Sequence, residues 1–201
     1  MSCECELNYE YHEIVECITS ALDARDPYTG DHSRRVSDMA CELCCALGMD
    51  KHETQQIHIA AHLHDIGKIG IPDSVLLKEG RLNDEEWELM RKHPQIGADI
   101  LAKSPNFSRI AAIILHHHER WDGKGYPFGA KGEEIPIGAR IIAVCDSIDA
   151  MASKRSYRNA LPMEKVKAEI EKNQGIMYDP EVARVMLENW NIPSEIYGWK
   201  K

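Results

Sequence analysis

An all-α fold is predicted for this chain of 201 residues by three features of its sequence. Apolar residues recur three and four positions apart along most of the chain, which is the spacing of one helix face. Residues that favour helix starts precede several of these segments, and no clear strand alternation appears, although residues 119–137 could hold a short hairpin. We expect one domain over residues 1–201, a bundle of about seven to nine helices. It comprises an N-terminal helix at about 7–25, a core at about 26–160 and C-terminal helices at about 161–190.

The first three helices are predicted from apolar stripes and their ends. The first stripe consists of Leu7, Tyr11, Ile14, Ile18 and Leu22. The second consists of Val36, Met39, Ala40, Leu43 and Leu47. Gly48 ends this second helix, and Asp50 with Glu53 three residues later forms a capping-box pattern. The third helix therefore begins after Asp50 and runs to about His64.

Later helices are predicted from caps and prolines. Asn83 with Glu86 opens a fourth helix. Pro94 disfavours helical geometry at the residue before it, so a new helix is expected to start there. Asp179 followed by Pro180 is typical of another helix start. Further helices are expected at about 107–118 and about 138–153.

The composition excludes several classes of protein. Hydrophobic residues make up 43% and charged residues 28% of the chain, as in ordinary soluble proteins. A net charge of −9 argues against broad nucleic-acid binding and means that an anionic substrate needs a local positive site. No apolar run is long enough to span a membrane and no signal-peptide pattern is visible, so we expect a cytoplasmic protein. Cys41, Cys44 and Cys45 lie at helical spacing and are interpreted as small buried residues rather than zinc ligands.

Histidines next to glycines indicate the chemistry. His117 and His118 are adjacent and are followed by the loop Gly-Lys-Gly-Tyr-Pro at residues 123–127, and an earlier cluster reads His64-Asp65-Ile-Gly-Lys68. Together these motifs favour a metal-dependent phosphohydrolase. A single buried histidine is usually a hydrogen-bonded core residue. Five further histidines have no neighbouring motif that would indicate metal binding. We interpret these five as surface or supporting residues: His12, His52, His58, His62 and His116.

Seven side chains near predicted helix ends or on an apolar helix offer imidazole or carboxylate groups, the ligands that suit first-row divalent metals. They are His32, His64, Asp65, His93, His117, His118 and Asp146. Seven ligands are too many for one ion, but they fit two ions that share a bridging carboxylate. Two such ions can clamp the attacking and leaving oxygens of a phosphoryl transfer.

The ordered motifs resemble the HD-GYP subgroup of the HD phosphohydrolase superfamily, whose members hydrolyse cyclic di-GMP. The likeness runs from about residue 19 to 182. It rests on residues 29–36, 60–72, 92–94, 117–127, 132–136, 146–150 and 155–158. The resemblance implies an HD-superfamily helical bundle in which the Gly-Tyr-Pro loop lies over the active site.

The resemblance also implies a role for each ligand. Asp65 bridges two metal ions, usually iron or manganese in this family. One ion is completed by His32, His64 and Asp146. The other is completed by His93, His117 and His118.

Substrate contacts are implied in the same way. Lys68 contacts the scissile phosphate or the leaving oxygen, and its alternative is a solvated lysine at a helix end. Arg155 and Arg158 bind phosphate or guanine, or instead cap helix carbonyls. Tyr126 offers a ring or a hydroxyl to the site. The loop is shaped by Gly123, Gly125 and Pro127, and Asp149 is expected to accept hydrogen bonds rather than bind metal.

Three alternatives remain open from the sequence. Some family members hold a third metal with a glutamate four residues before the first histidine ligand, where this chain has Tyr28, so we expect two metals. The product, pGpG or GMP, is therefore not decided. The substrate could also be 3′,3′-cyclic GMP-AMP or another nucleotide. The third alternative is a non-catalytic adaptor that binds diguanylate cyclases or other signalling proteins.

Overall fold

The computed structural model describes residues 9–25, 31–153 and 159–199. These residues form helices joined by short loops, and the all-α prediction is confirmed. The α-helices are α1 (Tyr9–Asp23), α2 (His32–Ala46), α3 (Lys51–Leu63), α4 (Asp73–Leu76), α5 (Asp84–Met90), α6 (His93–Leu101), α7 (Ser108–Leu115), α8 (Ile137–Ala152), α9 (Met163–Lys172), α10 (Pro180–Glu188) and α11 (Asn191–Ile196). Three 3₁₀ helices lie at Ile66–Gly70, Pro105–Phe107 and Gly132–Glu134.

The structure has more helices than the seven to nine predicted because short ones carry little periodic pattern. Helix α4 has four residues and α11 has six. The hairpin considered for residues 119–137 does not form, and those residues contain a 3₁₀ helix instead. In the described part of the chain, no helix has both the length and the apolar character needed to cross a bilayer.

The helix starts follow the capping signals. The Asp50 side chain accepts a hydrogen bond from the Glu53 amide at 2.9 Å. Asn83 and Glu86 form a reciprocal capping box at the start of α5. Helix α6 begins at His93, with Pro94 in its first turn, where a missing amide proton costs nothing.

The core lies between α2, α3, α7 and α8. Helix α2 packs on both α3 and α8, and α3 packs on α7. Fully buried apolar side chains from these helices form one continuous cluster, which also includes Cys44 and Cys145. Cys41 is buried as well, so the predicted role as a small core residue is confirmed for Cys41 and Cys44. For Cys45 the prediction is wrong, because this residue lies on the exposed side of α2.

Two glycines bring the end of α3 against the start of α6. A Cβ atom at Gly67 would lie 1.8 Å from the carbonyl oxygen of His93 and 2.6 Å from the amide nitrogen of Gly97. Real Cβ atoms do not approach backbone so closely, so only glycine fits at Gly67. The contact places Asp65, two residues earlier, beside His93.

Candidate metal centre

Three side chains from different helices form the first ligand group. His32 begins α2, His64 follows α3, and Asp146 lies in the middle of α8. The Nε2 atoms of His32 and His64 are 3.2 Å apart, and His32 Nε2 is 3.5 Å from Asp146 Oδ1. His32 and His64 are buried, whereas the Asp146 side chain is 20% exposed. The group therefore opens to solvent on the side of Asp146.

Three histidines form the second ligand group. His93 begins α6, and His117 and His118 follow α7. The Nε2 atoms of His93 and His117 are 3.3 Å apart. The His118 ring lies 4.0 Å from the His117 ring and 5.0 Å from the His93 ring between centroids. One ligand atom from each histidine lies within 4.8 Å of the others.

Asp65 lies between the two groups. Its Oδ2 atom is 3.4 Å from His64 Nε2 and 3.7 Å from His32 Nε2. Its Oδ1 atom is 3.4 Å from His93 Nε2 on the other side. Lys68 Nζ contacts Oδ2 at 2.7 Å. One carboxylate thus directs an oxygen toward each histidine group.

Hydrogen bonds at the Nδ1 atoms show which histidine nitrogens can bind cations. Nδ1 of His64, His93 and His117 lies 2.7, 2.8 and 2.5 Å from the carbonyl oxygens of Ala61, Met90 and Ile114. A carbonyl only accepts, so each Nδ1 carries the proton and each Nε2 keeps a lone pair in the neutral ring.

These lone pairs face one another across the site. The lone pairs of His93 and His117, on Nε2 atoms 3.3 Å apart, repel each other unless a cation lies between them. Between His32 and His64 the 3.2 Å gap holds the proton of His64 in the metal-free protein, at a position that a metal ion can take instead. That separation also matches about 3.3 Å between nitrogens that bind one tetrahedral ion at about 2.0–2.1 Å. The donor set therefore fits divalent metal ions, with the backbone carbonyls holding the rings in place.

Burial and neighbouring charges give the histidines of the two groups different pKa values. Burial opposes protonation of His64, but the carboxylates of Asp65 and Asp146 raise its pKa to about 9. Burial lowers the pKa of His93 to about 4 and holds the pKa of His117 and His118 well below the usual value. Burial also opposes ionisation of Asp65, but Lys68 and His64 hold its pKa well below normal. Asp65 is therefore anionic, and the second group is neutral and ready to bind a cation.

The loop that carries Gly-Tyr-Pro folds back over the second group. A Cβ atom at Gly125 would lie 2.4 Å from the Arg120 amide nitrogen, so the close approach requires glycine. The Tyr126 ring stacks on His118 with 4.8 Å between ring centroids, and the guanidinium carbon of Arg91 lies 5.7 Å from the centroid of the Tyr126 ring. The Tyr126–Pro127 peptide is cis. Tyr126 thus forms a wall of the site.

A protein-family model described as "HD domain" matches residues 16–182. The chain belongs to the HD domain family.

Relatives of this HD domain include named phosphodiesterases. A Thermotoga maritima protein named cyclic di-GMP phosphodiesterase is 44% identical over 191 residues, which are 94% of this chain and 52% of that protein. A Vibrio cholerae protein named 3′3′-cGAMP-specific phosphodiesterase 2 is 38% identical, over 89% of this chain and 35% of that protein. The HD domain described here thus spans about half the length, or less, of these relatives.

A solved structure shares the fold. The crystal structure of a cyclic GMP-AMP specific phosphodiesterase of V. cholerae matches this HD domain with a TM-score of 0.71 at 22% identity, over 92% of this chain and 52% of that one. The resemblance seen in the motifs is confirmed for the family and for the helical fold.

The structure of the HD domain brings all seven predicted ligands together. Lys68, Tyr126 and Gly125 lie in or beside the same site. Gly123 lies further along the loop against Lys131 and Gly129, with a left-handed φ of 76°. Pro127 is exposed. Arg155, Arg158 and Tyr28 lie outside the described residues, so their predicted roles stay predictions.

Sequence analysis missed a network that orients His32. Asp149 accepts a hydrogen bond from His32 Nδ1 at 2.7 Å and from Arg35 Nε at 2.6 Å, and the Tyr197 hydroxyl also bonds to it. Burial opposes ionisation of Asp149, but His32 and Arg35 hold its pKa well below normal. Asp149 thus accepts hydrogen bonds, as predicted. Arg35 could have been suspected as a donor to Asp149 because it lies three residues after His32 on the same helix. No sequence signal indicated Tyr197, because it follows the last predicted helix.

Proposed function

We propose that this HD domain is a metal-dependent phosphodiesterase that hydrolyses cyclic di-GMP to linear pGpG, with GMP as the product of a second cleavage. The observation that carries the proposal is the position of the Asp65 carboxylate between two histidine groups whose Nε2 atoms converge. A structural histidine cluster would instead pair its ring nitrogens with hydrogen-bond donors and acceptors.

Two divalent ions, iron or manganese, are the proposed occupants. One would be held by His32, His64 and Asp146, the other by His93, His117 and His118, with Asp65 shared. When bound, such a pair clamps the attacking and leaving oxygens of an in-line displacement and lowers the pKa of coordinated water. Among the seven proposed ligands only Asp65 and Asp146 are anionic, so two divalent ions leave the ligand set with net positive charge, which attracts an anionic phosphodiester despite the chain's net charge of −9.

The chain's own groups supply orientation and charge compensation. Lys68 Nζ lies 2.7 Å from Asp65 and is 23% exposed, so it can turn from the carboxylate to a phosphate oxygen above the site. Tyr126 provides a ring edge and hydroxyl next to His118, where a guanine base can rest. Arg155 and Arg158 are proposed to bind phosphate or guanine.

A second substrate, 3′,3′-cyclic GMP-AMP, is favoured by one observation. A relative at 38% identity bears the name of a phosphodiesterase specific for that molecule. Both cyclic dinucleotides present the same 3′–5′ phosphodiester to the metal centre, so the described ligands do not separate them. The purine contacts decide the preference.

The test is hydrolysis by protein purified without oxygen and loaded with Fe(II) or Mn(II). Cyclic di-GMP and 3′,3′-cyclic GMP-AMP are supplied separately, and products are resolved by chromatography. Turnover of cyclic di-GMP to pGpG is expected, with the GMP fraction measuring the second cleavage. Turnover of cyclic GMP-AMP alone would establish the second substrate. No turnover of either, with two metals bound, would favour the adaptor that binds signalling proteins.

Changing Asp149 to asparagine is expected to weaken metal binding by about 10–100-fold, as loss of a hydrogen-bond partner of a metal-bound histidine commonly does. The amide keeps the shape but removes the charge that orients His32 Nδ1. Metal affinity is measured by competition with a chelating dye. Asp99→Asn, at an exposed carboxylate on α6, is the control and should match the parent protein. Unchanged affinity in Asp149→Asn would contradict the positioning role.

Metal binding is expected to release protons and to strengthen as pH rises toward about 9. In the metal-free protein His64 has a pKa raised to about 9 by Asp65 and Asp146, so below that pH the ring carries a proton that a metal must displace. Calorimetry in two buffers of different ionisation enthalpy counts the protons. Affinity that is flat between pH 6 and pH 9 would contradict a protonated His64.

A further inference from the structure

Three other histidines meet on the opposite side of α3. His58 and His62 lie one turn apart on α3, and His12 reaches them from α1. Ring centroids are 5.5 Å apart for His12 and His58, 5.3 Å for His12 and His62, and 4.8 Å for His58 and His62. One nitrogen from each lies within 4.8 Å of the others. Sequence analysis found no partner for these residues because their proximity arises only when α1 packs on α3.

The hydrogen bonds leave a lone pair on each buried ring. His58 Nδ1 lies 3.2 Å from the carbonyl oxygen of Ser37, which only accepts, so Nε2 of the neutral His58 ring carries a lone pair. Ser37 Oγ donates to the Arg34 carbonyl at 2.8 Å and therefore accepts from His62 Nε2 at 2.9 Å. His62 then keeps its lone pair on Nδ1. This arrangement, with one nitrogen held by an oxygen, is typical of metal-binding histidines.

The third histidine completes the set beside an acidic surface. His12 Nδ1 lies 3.8 Å from Glu16 Oε1, so a carboxylate lies beside the third imidazole. The Asp38 carboxylate also interacts electrostatically with both His12 and Glu16. These carboxylates make the entrance to the cluster attractive to a cation.

The cluster, which we call the α1–α3 histidine site, is separate from the Asp65 centre. His62 and His64 are two residues apart, and successive residues rotate by about 100°, so the two rings leave α3 about 200° apart. His58 and His62 thus face His12 of α1, whereas His64 faces His32 and Asp65. A ligand at one site does not occupy the other.

We propose that His12, His58 and His62 form a binding site for Zn²⁺ that fixes α1 to α3. Three imidazoles suit Zn²⁺ among the common divalent ions, with water or the Glu16 carboxylate as the fourth ligand. Nitrogens bound to tetrahedral Zn²⁺ are about 3.4 Å apart. In the structure the three ligand nitrogens lie within 4.8 Å of one another. The His12 side chain is 29% exposed, so a small rotation can bring its nitrogen to the separation that Zn²⁺ requires.

A Zn²⁺ ion at this site would also affect the Asp65 centre, because the chain just after α1 is hydrogen-bonded to the segment that carries Lys68. At the far end of α1, Arg25 donates hydrogen bonds to the carbonyl oxygens of Lys68, Ile69 and Ile71, at 3.1, 2.6 and 2.6 Å. Helix α1 is therefore attached at its His12 end to α3 and at its Arg25 end to the segment that carries Lys68. Zn²⁺ at the α1–α3 histidine site stabilises both attachments.

The test counts zinc in the full chain. Metal-free protein is equilibrated with Zn²⁺, desalted and analysed by mass spectrometry of the elements, beside His12→Ala and His52→Ala. His52 is exposed and lies on α3 outside the site, so it is the matched control. The parent and His52→Ala are expected to hold one more Zn²⁺ per chain than His12→Ala. Zinc should also raise the thermal unfolding temperature more in the parent than in His12→Ala.

Anomalous scattering at the zinc edge locates the ion without any substitution. A peak between His12, His58 and His62 is expected. Equal zinc content in the parent and His12→Ala, with anomalous density only around Asp65, would overturn the proposal. The result does not depend on hydrolysis. Asp65→Ala should lose zinc from the Asp65 centre, and adding His12→Ala to that variant should remove one further Zn²⁺ per chain.

Discussion

Asp65→Asn is expected to reduce the rate of cyclic di-GMP hydrolysis by about 10²–10³-fold, the scale seen when one charge-stabilising group is removed from an active site. The amide has the shape of the carboxylate, but it lacks the charge and the second oxygen acceptor that face His64 and His93. Both proposed metal positions share this residue, so metal content should fall together with the rate. The rate is measured with Mn(II)-loaded protein and the metal content by elemental analysis.

The control for Asp65→Asn is Asp99→Asn, which removes an exposed carboxylate on α6 that pairs only locally with Gln95 among the described contacts. It should retain both the parent rate and the parent metal content. A variant at Asp65 that keeps two metals and turns over at a rate near the parent's would contradict the bridging role of this carboxylate.

Gly67→Ala is expected to destabilise the fold by about 3 kcal/mol, at the upper end of typical overpacking effects. The added methyl group would lie 1.8 Å from the His93 carbonyl oxygen, and backbone atoms cannot rotate away as a side chain can. In a domain of this size each kcal/mol lowers the midpoint of thermal unfolding by about 2–4 °C, so a fall of roughly 10 °C is expected. Calorimetry of the metal-free protein measures it.

Gly70→Ala is the matched comparison, because it adds the same methyl group in the same 3₁₀ helix. Its Cβ would meet only the side chain of Ile96, at 3.0–3.1 Å, and that side chain can shift by a few tenths of an ångström. A much smaller loss of stability is expected. Equal stability of Gly67→Ala and the parent would mean that the backbone segments around Gly67 and Gly97 can move apart at little cost. It would contradict the inference that their close contact positions Asp65 beside His93.

Much of the helix pattern could be predicted because capping and apolar spacing are local properties. Asn83 and Glu86 form their capping box within three residues, and Pro94 lies in the first turn of α6 for reasons confined to its own backbone. The short helices α4 and α11 escaped prediction because four or six residues hardly complete one period.

The candidate metal ligands could be predicted from the sequence because their residue types, the Gly-Tyr-Pro loop and the likeness to a known family all indicated the same chemistry. The network around Asp149 could be predicted only in part. Arg35 lies one turn from His32, but Tyr197 follows α11 and approaches α8 only after the chain has folded back. No local pattern records such a contact.

The sequence by itself determined where most of the longer helices lie and begin, and which imidazole and carboxylate groups the chain offers. Tertiary structure alone decided which faces of those helices meet. His64 and His62 are two positions apart on the chain, yet packing sends one to the Asp65 carboxylate and the other to His12. The reason is physical: helical period fixes directions around one axis, whereas distances between axes depend on packing, as at Gly67 and Gly97.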